Sequence, residues 1–191
     1  LAALLATPAV AQDGYRTPPA PIPSILDAPP LPYGSTGPDG RSLLLMERAN
    51  MPPISEVAAP MLRLAGTRIN PATNGPAGSY ATLTGFTIKN LGDRTEQPVT
   101  GGFAGTPGFA SWSPDGEWIT FTNTHENGVE QWVAEVATGE ARRVIGGVNQ
   151  AAGGCEWMPD GERLLCMLIP ARRGQPPEEP AVPEGPVIQE S

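Results

Sequence analysis

One histidine, two cysteines and a few paired carboxylates are the side chains of this 191-residue sequence whose types could carry chemistry. His125 is a candidate general base, but a base needs a nucleophile within hydrogen-bond reach and a third group to orient it. It stands beside Glu126 and Asn127-Gly128, a strong hairpin signal, and reads as a solvated turn residue. No G-x-S-x-G nucleophile elbow occurs. The nearest string, Gly34-Ser35-Thr36-Gly37, has different spacing and runs into a turn instead of a helix. The pair Glu178-Glu179 lies among Pro176, Pro177, Pro180 and Pro183, where an extended, hydrated chain accounts for it. One His and two Cys without a C-x-x-C spacing cannot assemble a metal site, so neither a metal nor a cofactor is expected, and no residue here is assigned a catalytic role.

The elements that would position these side chains announce themselves through a repeated turn. GPDGRSLLLMER (37 to 48), SPDGEWITFTNT (113 to 124) and MPDGERLLCMLI (158 to 169) align without gaps on Pro38-Asp39-Gly40, Pro114-Asp115-Gly116 and Pro159-Asp160-Gly161. Proline presets φ for the first turn position, Asp bonds the backbone amides that follow it, and Gly takes the positive φ that closes the reversal. Behind the second turn, Trp118, Thr120 and Thr122 alternate with Ile119 and Phe121, a period of two in β-branched and aromatic residues. Each copy therefore reads as a β-hairpin. A second hairpin follows at Asn127-Gly128, with QWVAEV behind it and a polar turn at Ala137-Thr138-Gly139-Glu140. FTIKNLGDRTEQPV (86 to 99) repeats that outline, so 31 to 91 reads as an earlier, divergent copy.

The aspartates are separated by 76 and 45 residues. A period near 45 is that of one four-stranded propeller blade, and 76 is a blade plus an insertion, placed around 49 to 80. The fold expected is all-β: a partial β-propeller of four-stranded antiparallel blades whose ring these residues do not close. An antiparallel sandwich shares the short, regularly spaced strands and is the competing architecture. Trp112 and Trp157 precede two of the turns in equivalent places, as blade packing would produce, and the four tryptophans read as core. Around the third turn, residues whose numbers total 321 oppose one another, which sets Cys155 against Cys166. A cross-strand disulfide and a pair of small buried thiols are both open at that site; Ala110 and Phe121 fill the equivalent places of the preceding copy.

Composition divides the rest. Of the 24 prolines, 12 lie in 1 to 30 and 171 to 191, which leaves 31 to 170 to carry the blades, between a proline-rich arm (12 to 30) and a proline-rich loop or linker (171 to 191). Leu1 to Ala11 is apolar and ends in Ala9-Val10-Ala11, which reads as the remnant of a signal peptide cleaved after Ala11 and directs the protein to a periplasm or outside the cell. No further segment is long and apolar enough to be a membrane span. A net charge of -8 without a basic run excludes nucleic acid as the expected partner.

The W-S-P-D-G turn followed by an apolar strand and a T-G-E turn resembles the repeats of TolB-like propellers and of the prolyl oligopeptidase family. ILDAPPLP (25 to 32), PPISEVAAPMLRLAGTRINPATNGP (52 to 76) and GCEWMPDGERLLC with the later GPVIQES narrow the resemblance to the glutamyl endopeptidase branch of that family, over nearly all of 15 to 191. The resemblance implies an amino-terminal propeller portion of an exported serine peptidase, a fragment that gates peptide substrates toward a carboxy-terminal α/β-hydrolase domain carrying the Ser, Asp and His triad. Cleavage after Glu is implied by the resemblance alone. It also implies that the arm reaches back toward the hydrolase domain. The alternative function is that of a non-catalytic, periplasmic TolB-like propeller presenting loops to a protein partner.

Overall fold

The computed structural model describes residues 18–64, 66–78 and 82–174. The signal remnant at 1 to 11, the start of the arm and nearly all of the loop at 171 to 191 lie outside them. The described arm contains a five-residue helix, α1 (Ile22–Leu26), with Ile25 and Leu26 exposed.

The first Pro-Asp-Gly turn joins β1 (Tyr33–Thr36) to β2 (Ser42–Arg48). The insertion follows, with α2 (Ile54–Val57) and a small hairpin of β3 (Leu62–Leu64) and β4 (Thr67–Ile69). The chain then returns as β5 (Leu83–Asn90) and β6 (Glu96–Pro98), and the sheet order is β1-β2-β5-β6, antiparallel throughout. The segment that reads as a divergent copy is thus a four-stranded blade, and its divergence is confined to the insertion between its second and third strands.

The second blade has the same plan. Its first strand is split into β7 (Thr106–Pro107) and β8 (Ser111–Trp112), both paired with β9 (Trp118–His125), and β10 (Gly128–Glu135) and β11 (Ala141–Gly146) complete it. The β9–β10 register runs from Gly128 opposite His125 to Glu135 opposite Trp118, so the two turn residues are Glu126-Asn127, one residue earlier than the Asn127-Gly128 that the sequence suggests. A third sheet among the described residues is the hairpin of β12 (Cys155–Trp157) and β13 (Leu164–Cys166). Among the described residues the architecture is a run of antiparallel blades, mostly β, without a closed ring.

The core lies between the first two blades. Leu44, Met46, Phe86 and Ile88 from one blade meet Ile119, Phe121, Trp132 and Ala134 from the next, all buried. Phe103, on the connection between them, stands 6.4 Å from Phe86 and 5.1 Å from Phe121, and Phe86 is 4.8 Å from Phe121, measured between ring centroids. Each buried aromatic contributes about 1.5–3 kcal/mol by leaving water, and each well-placed ring pair about 0.5–1.5 kcal/mol more. Alternation in β9 suggests a strand with one wet face, yet Thr120 and Thr122 are as buried as Ile119 and Phe121. A blade inside a stack is covered on both sides, so its second face is buried too.

The connections leave no room for side chains. A Cβ on Gly105 would lie 2.3 Å from the Thr124 carbonyl oxygen, far inside contact distance, whereas one on Gly34 would meet Leu43 at an ordinary 3.5 Å. Gly105→Ala is expected to destabilise the chain by about 1–3 kcal/mol, as overpacking does, and Gly34→Ala by less than about 0.5 kcal/mol. Urea unfolding of the two variants checks this; equal midpoints would contradict the close approach.

Candidate functional site

The ends of the blades differ in chemistry. At one end sit the three Pro-Asp-Gly turns, each closed by a hydrogen bond from the glycine N–H to the carbonyl three residues back. Asp39 Oδ1 accepts the N–H of Arg41 at 2.9 Å and of Ser42 at 3.2 Å; Asp115 Oδ1 accepts that of Glu117 at 3.0 Å; Asp160 Oδ1 accepts that of Glu162 at 3.1 Å. Gly40, Gly116 and Gly161 have φ of 64°, 77° and 74°. The turns also stack. A Cβ on Gly161 would come within 2.8 Å of Asp115 Oδ2 in the preceding turn, and one on Gly116 within 3.4 Å of Pro38. These nine residues build the turns; the positive φ favours glycine at all three, and at Gly161 the close approach of Asp115 favours it as well.

The opposite end gathers the insertion, the β9–β10 turn and the connections between blades. A cleft of about 970 Å³ runs between the insertion, at Glu56, Asn70 and Pro76, and the second blade, at Phe109, His125 and Asn127. His125 is not the freely solvated turn residue that its sequence context suggests. Its Nε2 donates to Glu130 Oε2 at 2.8 Å, and its ring is about two-fifths exposed. Glu130 is the hub: Oε2 also accepts from Trp132 Nε1 at 2.9 Å and Asn123 Nδ2 at 3.4 Å, while Oε1 pairs with Arg143 Nε at 2.8 Å. Residues 119, 121, 123 and 125 share one face of β9 and 130, 132 and 134 the matching face of β10, so the network continues the apolar core to its wet end. Among the described residues no hydroxyl or thiol is hydrogen-bonded to His125, and the cluster lacks a nucleophile. Ser35, the serine of the Gly-Ser-Thr-Gly string, accepts from Trp112 Nε1 at 3.2 Å and ties the two blades together. Sequence reasoning missed Glu130, which stands next to Val129 in the run GVEQWVAE, where only the apolar alternation drew notice.

A second, smaller cavity of about 300 Å³ lies on the other face of the second blade, lined by Thr120, Thr122, Gln131, Gln150, Gly154 and Arg68 of the insertion among others. The insertion is fastened beside it: Asn74 Nδ2 donates to Asn149 Oδ1 at 2.8 Å, and Arg173 Nη2 donates to the Pro71 carbonyl at 3.1 Å. Neither glutamine stands out in the sequence, where an amide in a strand ordinarily faces water.

Cys155 stands opposite Cys166 in the β12–β13 register, with Cα atoms 4.1 Å apart and sulfurs 2.03 Å apart, a disulfide across the hairpin. Of the tryptophans, Trp132 is in the core and Trp112 packs against it, while Trp118 carries the Arg142 guanidinium over its ring at 5.6 Å. Among the described residues no three His, Cys, Asp or Glu side chains gather as a metal site, and no helix is long and apolar enough to cross a membrane.

Burial pushes the Glu130 carboxyl up, but hydrogen bonds from His125, Trp132 and Asn123 and the charge of Arg143 outweigh it and hold the group below its ordinary 4.5. The backbone N–H of Arg41 lowers Asp39, the Ser113 hydroxyl lowers Asp115, and the Arg163 side chain lowers Asp160, all below 3.8. A carboxyl depressed on folding contributes stability above its unfolded pKa and loses it as pH falls through the folded value. The urea midpoint is therefore expected to drop between about pH 5 and pH 2, and Glu130→Gln to shallow that drop. A wild-type midpoint independent of pH over this range would contradict the network. For the hairpin, the unfolded, unreduced chain is expected to show no titratable thiol, and the double variant Cys155→Ala, Cys166→Ala to lose about 2–3 kcal/mol, as closure of a short loop implies. Two free thiols before reduction would overturn that expectation.

No protein-family model matches the chain. Over 92% of its length it is 35% identical to the probable chloroplastic glutamyl endopeptidase of Oryza sativa subsp. japonica, covering 20% of that protein. It is 37% identical over 91% of its length to the protein of the same name in Arabidopsis thaliana, covering 19% of it. The chain thus spans about a fifth of the length of these relatives. Among solved structures, the acylaminoacyl peptidase of Pyrococcus horikoshii aligns with 75% of the chain and 18% of its own, at 17% identity and a TM-score of 0.43. An acylaminoacyl peptidase in complex with Z-Gly-Gly-Phe-chloromethyl ketone aligns with 71% and 17%, at 18% identity and a TM-score of 0.40. With more than a third of its aligned positions identical to both plant proteins across nine-tenths of its length, the chain belongs to the glutamyl endopeptidase branch of the prolyl oligopeptidase family.

Proposed function

We propose that this chain is the amino-terminal propeller portion of an exported serine peptidase that cleaves peptides after Glu, and that it gates their passage to an α/β-hydrolase domain carrying the triad. The observation that supports this most is the match to two glutamyl endopeptidases over nine-tenths of the chain but only a fifth of their length, which leaves room in the parent for a catalytic domain. The residues at hand agree with a non-catalytic share of the work. His125 is engaged by Glu130, and Ser35 is taken by Trp112. The insertion runs over one end of the blades, where it borders the cleft that a peptide would meet.

Export is part of the same reading. It draws on the apolar start ending in Ala9-Val10-Ala11 and on a disulfide that an oxidising compartment would preserve. The periplasm or the medium is the expected location.

One experiment addresses the whole reading: express the full reading frame that contains this chain in its host, isolate the product, read its amino terminus and assay it on glutamyl peptides. The expected result is a mature protein beginning at Gln12, with a G-x-S-x-G, an Asp and a His beyond Ser191, that cleaves after Glu and loses at least about 10³-fold in kcat when that serine is replaced. A reading frame without these residues, or a purified product inert on all peptides, would overturn the peptidase assignment.

A further inference from the structure

The chain contains two Asn-Gly dipeptides, Asn74-Gly75 in the insertion and Asn127-Gly128 at the tip of the β9–β10 hairpin. An asparagine followed by glycine has a chemistry of its own. The glycine nitrogen can attack the asparagine side-chain Cγ and close a five-membered imide, because no Cβ on the glycine stands in the way. In that step the N–Cγ bond forms, the Cγ–Nδ2 bond breaks, and Nδ2 leaves as ammonia with the glycine amide proton. Water then opens the imide at either carbonyl and gives aspartate or isoaspartate. The sequence makes the two sites equal candidates, and the structure separates them.

Asn74 is held at every group that the reaction must move. Its Nδ2 donates to Asn149 Oδ1 at 2.8 Å, and the nucleophile, the N–H of buried Gly75, donates to Thr73 Oγ1 at 3.1 Å. Thr73 is itself 2% exposed. The backbone on either side is tied as well. The Asn74 N–H donates to the Asn70 carbonyl at 2.9 Å, the Asn74 carbonyl accepts the Ala151 N–H at 3.2 Å, and the Gly75 carbonyl accepts the Asn70 N–H at 2.9 Å. Closing the imide there requires this part of the insertion to come apart first.

Asn127 has no such restraint. It is exposed, and its side chain makes no hydrogen bond among the described residues. Gly128 pairs with His125 in the last rung of the ladder, the rung that frays first, and a Cβ built on Gly128 would meet nothing within 4 Å. Open space surrounds the reacting groups.

We propose that Asn127 is a modification site, converted in the folded chain without an enzyme to aspartate and isoaspartate, while Asn74 is protected. Asn127 lines the larger cleft together with Glu56, Glu126 and His125, so the product adds a carboxylate to a wall that already carries two. Isoaspartate also inserts its Cβ into the main chain of a two-residue turn, at the strand end where His125 meets Glu130. None of this rests on the peptidase reading.

The test is peptide mapping by mass spectrometry of the 191-residue chain incubated in mildly alkaline buffer, folded and in urea above its unfolding transition, with isoaspartate resolved from aspartate by chromatography. In the folded chain the mass gain of an amide-to-acid exchange is expected at Asn127 at least about tenfold faster than at Asn74. In urea the two rates are expected to converge, since the dipeptides are the same. Asn149→Ala, which frees the Asn74 side chain, is expected to speed conversion at Asn74 several-fold and to leave Asn127 unchanged. Equal rates in the folded chain, a faster reaction at Asn74, or an Asn127 that converts in urea and not in the folded chain would overturn the proposal. So would a product at Asn127 that is aspartate alone, because direct hydrolysis of the side chain, without the imide, gives no isoaspartate.

Discussion

A blade is a sheet with two faces to cover, and burial of the face shared by the first two blades is the interaction on which everything else depends. Phe86, Phe103, Phe121 and Trp132 meet there, with Leu44, Ile88 and Ile119 filling between them. A lone four-stranded sheet carrying these side chains would present a continuous apolar surface to water, so neither blade is a stable unit by itself. The turns, the connections and the network at Glu130 then follow as ways of finishing that interface at its two ends. At the tight end, the stacked turns bring Pro38 against Gly116 and Asp115 against Gly161. At the other end, where rings give way to polar groups, Glu130 collects the donors of His125, Asn123, Trp132 and Arg143.

The parts of this fold that were legible in the sequence are those fixed within a few residues of chain. A Pro-Asp-Gly turn sets its own geometry, and a tight hairpin sets the pairing of the strands that leave it, which is why Cys155 could be placed opposite Cys166 from numbering alone. The split of the first strand of the second blade could not be read, because it follows from contact between Gly108 and Thr122 on a strand that comes later. Nor could the burial of Thr120 and Thr122. Alternation tells which residues share a face, but whether a face is wet depends on what the rest of the chain lays against it.

The candidate site was harder to read for the same reason. His125 looked solvated because its neighbours in sequence are polar, whereas its partner, Glu130, reaches it across the hairpin. Glutamine is ordinarily a surface residue, and nothing local marks Gln131 or Gln150 as buried. What buries them is the return of the insertion over the second blade and the entry of the third, contacts between residues far apart in the chain.

The insertion accounts for the asymmetry between the ends. It replaces a two-residue turn at the junction of second and third strands, the place occupied by Glu126-Asn127 in the next blade, and so it must leave the sheet at the end away from the Pro-Asp-Gly turns. Having left, it has polar groups to satisfy, and it does so along its path: the Glu56 carboxylate accepts from the Thr82 hydroxyl, the Asn74 side chain donates to that of Asn149, and the Pro71 carbonyl accepts from Arg173. These bonds fasten it to the first blade at its root and to the third at its far side. A segment held at both sides leaves the space beneath it open, and both cavities lie there. The opposite end has only short turns, in which each aspartate is occupied by its own backbone. Both cavities are thereby bordered by the same insertion, through Pro76 in each.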